Sequence, residues 1–138
     1  MTACPKCGYH AEAAVLRSWT LEIPREVESA NSYTVNAGKT RWKYAAQRDA
    51  WTRDMLAMRR VHGMTVAVGM RRVTLTRLYS GRQREMDRAN FIAGAKPVLD
   101  AMVRACMLVD DKPKWLEDHY AQVKADRPGL RVLVEEIG

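Results

Sequence analysis

Apolar and polar residues alternate at Leu21 and Ile23, at Val66, Val68 and Met70, at Val73 and Leu75, and at Leu130, Val132 and Val134. A period of two marks a strand with one buried face. The pattern predicts strands over residues 16–23, 65–79, 119–124 and 130–137. Within 65–79 the phase slips at Arg71-Arg72, and a one-residue slip exchanges the two faces. A bulge or bend is therefore expected between residues 69 and 72. Asp126-Arg127-Pro128-Gly129 is a turn signal, so the last two strands are expected to form a hairpin.

Two other segments follow a helical period. Residues 41–60 place Trp42, Ala45, Ala46, Asp49, Met55 and Met58 at helical spacings, contain no Pro or Gly, and are followed by Gly63. In residues 90–108, Phe91, Ala95, Val98, Leu99, Met102, Ala105 and Cys106 line one apolar stripe. Pro97 cannot donate a backbone hydrogen bond, so a kink or a fresh start is expected there. Cys106, on the stripe, is expected in the core. The order is strand-helix-strand-helix-strand-strand. It predicts an α+β domain, a mixed four-stranded sheet packed by two main helices.

Composition narrows the picture. A chain of 138 residues suits one domain with its own core. Residues 1–16 read as an appendage and residues 17–138 as the domain. The net charge of +7 is consistent with a plain basic surface, and more pointedly with a polyanionic partner such as nucleic acid. Three cysteines, Cys4, Cys7 and Cys106, argue against a disulfide framework and fit a reducing cytoplasm. No apolar run of about 18 residues is present, so no membrane span is expected. A secretory signal pattern is likewise not visible.

The chemistry concentrates between Arg84 and Asp111. Asp87, Asn90, Lys96, Asp100, Asp110 and Asp111 surround one apolar segment. Magnesium takes oxygen ligands, usually one or two carboxylates plus phosphate oxygens. It can activate water and stabilise the leaving oxygen of a phosphodiester, while a lysine neutralises phosphate charge or protonates the leaving group. The plainer reading makes Asp87 and Asn90 helix caps, Asp110-Asp111 a solvated turn, and Lys96 with Asp100 an i,i+4 pair.

The combination Asp87-Arg88-Ala89-Asn90, Gly94-Ala95-Lys96-Pro97-Val98-Leu99-Asp100 and Asp110-Asp111 resembles the RusA family of Holliday junction resolvases, largely phage- and prophage-derived endonucleases. Leu21-Glu22-Ile23-Pro24 followed by Ser29-Ala30-Asn31 is similar to that family's first strand and Asn-bearing loop. The resemblance covers roughly residues 17–137. It implies a homodimer that nicks four-way DNA junctions symmetrically, with Mg²⁺ (Mn²⁺ as an alternative), in the cytoplasm of a bacterium or phage-infected host. By position it implies Asp87 and Asp111 as catalytic metal-binding acids, Asp110 as a neighbouring metal ligand, Lys96 as the motif lysine and Asn90 as the motif asparagine. Ala89 stands where the family's second acid is expected. An alternative register pairs Glu85 with Asp87 and separates Asn90 from the motif. A site short of one carboxylate should bind metal and activate water less well, so a non-catalytic branched-DNA-binding dimer is the competing reading.

Cys4-x-x-Cys7 with His10 is half of a zinc site, or else a tail with free thiols. Asn31, Lys39, Arg41, Arg71, Arg72, Arg82 and Arg84 join Asn90 as candidate DNA-contacting residues. Their guanidinium, ammonium and amide groups can position a branched duplex through its phosphates. Tyr33 and Trp42 are candidates either to stack on DNA or to pack.

Overall fold

The computed structural model describes residues 14–29 and 37–138, with side chains from Trp42 onward in the second span. Cys4, Cys7, His10, Asn31 and Tyr33 lie outside the described residues. The elements are β1 (Val15–Ile23), α1 (Ala37–Val61), β2 (Arg71–Tyr79), α2 (Arg88–Gly94), α3 (Lys96–Arg104), β3 (Leu116–Lys124) and β4 (Gly129–Ile137). The four strands form one mixed sheet in the order β1-β4-β2-β3. β2 and β3 are parallel, and β4 is antiparallel to both β1 and β2. The fold is α+β. β1 begins at Val15, so sheet pairing reaches into the span assigned to the appendage.

One sheet face carries the core. Leu21 and Ile23 of β1, Leu130, Val132 and Val134 of β4, and Val73 and Leu75 of β2 are buried beside one another in register. Trp51 and Met55 of α1, Phe91 of α2, and Val98, Leu99 and Met102 of α3 pack onto them. Burying each such side chain contributes on the order of 1.5–3 kcal/mol relative to exposure. Among the described residues, no helix is long and apolar enough to cross a membrane.

The expected terminal hairpin does not form. β3 pairs with β2, while β4 inserts between β1 and β2. The side chains account for the choice. β4 buries Leu130, Val132 and Val134, which suits a central strand. β3 exposes Asp118, His119, Ala121 and Val123, which suits an edge. A parallel β2/β3 pair needs a long crossover, and α2 and α3 supply it.

The strand expected over residues 65–79 begins only at Arg71. Val66 and Val68 stay exposed, at 52% and 87%. Among the described residues, alternation alone gave them no neighbouring strand. Their segment is instead tied by Ala67 N–H to the Cys106 carbonyl, 2.9 Å.

The second helical stretch is broken at Ala95, with Pro97 in the first turn of α3, where its missing N–H costs no intrahelical bond. α3 ends early. Met107 N–H reaches the Met102 carbonyl at 2.9 Å and Cys106 N–H the Val103 carbonyl at 3.1 Å. This is a Schellman closure with Cys106 in the left-handed conformation, φ 61°. That geometry turns Cys106 out of the core, and its side chain is exposed. α1 closes the same way, with Gly63 at φ 62°.

Candidate functional site

Asp87 stands at the N-cap of α2, and its carboxylate accepts from Asn90 N–H at 3.3 Å. The capping role and the motif position thus fall on one residue. The side chain remains exposed, at the rim of a cleft of about 420 Å³ lined by Glu85, Asp87, Arg88, Phe91, Tyr120 and Gln122. Phe91 meets Tyr120 edge to face, centroids 5.7 Å apart. Arg88 donates to the Tyr120 carbonyl at 3.3 Å, and the Tyr120 hydroxyl donates to Asp118 at 2.7 Å. Burial, reinforced by that bond to Asp118, pushes the Tyr120 phenol far above its ordinary pKa, so it stays a protonated donor.

The preceding loop is held to the sheet. Gln122 accepts from Met86 N–H at 2.8 Å and donates to the Met86 carbonyl at 2.7 Å. Arg77, opposite Gln122 in the β2/β3 register, donates to its Oε1 at 3.0 Å and to the Arg84 carbonyl at 3.1 Å.

Asp110 and Asp111 lie after α3, at the other end of the crossover. Asp110 accepts from the Asp111 N–H at 2.7 Å, and Lys112 stands 4.0 Å from Asp110. They line a second cleft of about 220 Å³ with Arg48, Asp100, Val103 and Arg104. Asp100 accepts from the Tyr44 hydroxyl of α1, and Arg104 pairs with Asp49 at 3.1 Å.

The sequence-predicted acids therefore line two clefts rather than one. The nine residues of α3 alone span about 14 Å of the crossover between them. Among the described residues, no group of three or more His, Cys, Asp or Glu comes together as a metal site. The donors in each cleft still suit Mg²⁺ in kind and number. Glu85 with Asp87, or Asp110 with Asp111, offers two carboxylates, and Mg²⁺ commonly takes one or two with water and phosphate completing its shell. Ala89 is exposed in the first turn of α2, and Lys96 is exposed at the first position of α3.

The candidate DNA-contacting residues divide. Arg82 and Arg84 are exposed in the loop before Asp87. Lys39 and Arg41 fall in the first turns of α1, and Asn90 is half-buried behind Asp87. Arg72 is engaged by Glu117 and lies 3.9 Å from Glu135, on the sheet face away from the helices. Its guanidinium, with a hydrogen bond from His119, holds Glu117 below the usual carboxylate range. Arg71 does not reach the surface at all: it is 1% exposed. It sits at the start of β2 on the core face, so its charge serves the interior rather than a phosphate. Trp42 is 80% exposed, so it does not pack into the described core.

Two features escaped the pattern reading. Tyr120 and Gln122 face the core side of β3, but an edge strand of mixed polarity carries no periodic signal for them. The buried polar role of Arg71 was equally hidden, because a basic residue at a phase slip reads as surface charge.

No protein-family model matches the chain, and no curated protein matches it.

Proposed function

We propose that this chain is a RusA-like, Mg²⁺-dependent endonuclease that nicks four-way DNA junctions as a homodimer, with its catalytic power reduced by Ala89. The observation that carries the reading is the joint placement of the motif. Asp87-x-x-Asn90, Lys96-Pro97 and Asp110-Asp111 all sit on the single crossover between two parallel strands, and each acidic set rims an open cleft. The basic balance of the chain, +7, and the exposed Arg82 and Arg84 beside Asp87 suit a phosphate backbone.

Bound Mg²⁺ would supply Lewis-acid stabilisation and water activation. Asp87, with Asp110 and Asp111, would hold it, and exposed Lys96 would face phosphate charge. A dimer would reconcile the two separate clefts if it set the Asp110-Asp111 pair of one chain against Asp87 of the other. Two-fold symmetry also matches the near two-fold symmetry of a junction.

Ala89 favours a second reading, a dimer that binds branched DNA without cutting it, because alanine has no ligand atom. A cleavage assay on four-way junctions with and without Mg²⁺ separates the two. The resolvase reading expects Ala89→Asp to cut and the chain as it stands to bind junctions but cut far less. If both are folded and bind, and neither cuts, the resolvase reading fails and the binding dimer stands. Absence of junction binding defeats both. Mixing Asp87→Asn with Asp111→Asn chains in the Ala89→Asp background tests the shared site. Heterodimers regain cutting only if each site draws on two copies.

A further inference from the structure

We infer that Gln122, braced by Arg77, is a positioning residue that sets the Asp87 carboxylate for metal binding, an inference that rests on the reading of Asp87 as a metal ligand. A carboxamide is one of few side chains that present a donor and an acceptor side by side. Gln122 uses both on one residue. Its Oε1 takes the Met86 N–H at 2.8 Å and its Nε2 gives to the Met86 carbonyl at 2.7 Å. The main chain at Met86 is thus held as a neighbouring strand would hold it, though no strand is there.

Arg77 stiffens the arrangement from the adjacent strand. It donates to Gln122 Oε1 at 3.0 Å, which fixes which end of the amide is oxygen, and to the Arg84 carbonyl at 3.1 Å. Residues 84 and 86 are therefore anchored to paired positions of β2 and β3. Asp87 follows immediately, and its far side is anchored by its own cap bond to Asn90 N–H. The main chain before Asp87 is thus held on one side and its carboxylate on the other, while the side chain stays open to the cleft that Gln122 also lines. A metal ligand must be held to within a fraction of an ångström, and groups behind the ligands commonly decide metal affinity. Gln122 and Arg77 act one residue back, on the main chain that leads into Asp87.

The test is Mn²⁺ binding to the full chain, followed by electron paramagnetic resonance without DNA, on the chain as it stands and on Ala89→Asp. Metal-free junction binding and thermal unfolding are measured alongside. Gln122→Met keeps length and loses both hydrogen bonds to Met86 and the one from Arg77, and should weaken Mn²⁺ binding about tenfold, the lower end of the range for groups that support ligands. Metal-free junction binding should stay within about twofold. Gln122→Glu retains size and the Arg77 partner but sets an oxygen against the Met86 carbonyl. It should weaken Mn²⁺ similarly and supplies the answer if Gln122→Met does not fold. Asp87→Asn serves as the reference. If it weakens Mn²⁺ binding and the folded Gln122 variants do not, the positioning role is overturned while the reading of Asp87 survives. If Asp87→Asn leaves Mn²⁺ binding unchanged, the metal role of Asp87 fails and the positioning role falls with it.

Discussion

The Arg71 guanidinium donates to the main-chain carbonyl of Met107 at 3.0 Å, joining the first residue of β2 to the loop that leads to Asp110. The same group donates to the Thr65 carbonyl at 2.9 Å and to Glu136 at 3.2 Å, and lies over the Trp19 ring at 5.0 Å. Burial lowers its pKa, opposed by the Glu136 hydrogen bond. Arg71→Met should therefore strand the buried Met107 carbonyl, take a partner from half-buried Glu136 and cost about 2–4 kcal/mol. Urea unfolding measures it. A loss under about 0.5 kcal/mol, the scale of ordinary surface changes, would mean that the buried network does not hold the loop.

Glu136 also joins Arg17, at 3.0 and 3.1 Å. The Arg17 hydrogen bond, with a further one from Arg71, holds its pKa below the usual glutamate value. A depressed acid contributes stability that is complete above its unfolded pKa, about 4.3, and is lost as pH falls through the lower folded value. The urea midpoint should fall in that acid range, and Glu136→Gln should flatten this part of the profile. An unchanged acid limb in the variant would assign the loss to other carboxylates.

Cys106 occupies a position of the Schellman closure that Gly63 fills in α1. A side chain there is strained by about 1 kcal/mol relative to glycine, and the thiol, being exposed, gives little packing in return. Cys106→Gly should raise stability by roughly that amount, read from chemical denaturation. A destabilised variant would show that the thiol makes contacts worth more than the strain.

Gly129 opens β4 beneath the main chain of Ile23, where an added Cβ would lie 2.8 Å from the Ile23 carbonyl oxygen. The obstacle is backbone in a paired strand, which cannot swing aside. Gly129→Ala should destabilise the protein by about 1–3 kcal/mol, as overpacking does. Thermal unfolding checks it, and a wild-type midpoint would show that the β1/β4 edge yields.

Period and composition were sufficient for the α+β class, for β1 and β4, and for a long α1, because one face of each meets the same core. That Asp87, Lys96 and Asp110-Asp111 lie close together along the chain was legible because it is local. The β3–β4 neighbourhood was not legible. A turn signal says that the chain bends, whereas the choice of neighbour depends on which strand buries more apolar surface, and that sum runs over the whole sheet. Val66 and Val68 show the same limit: alternation without a neighbouring strand leaves two exposed valines.

By itself, then, the amino-acid order determined which residues are apolar, which segments are regular and which acids recur at motif spacing, since these depend on near neighbours. Tertiary structure decided that Arg71 is interior, that Gln122 grips Met86, and that Asp87 and Asp110-Asp111 face separate clefts. Each of these joins residues far apart in the chain, through a sheet order and a helix break whose energies come from packing rather than from local propensity.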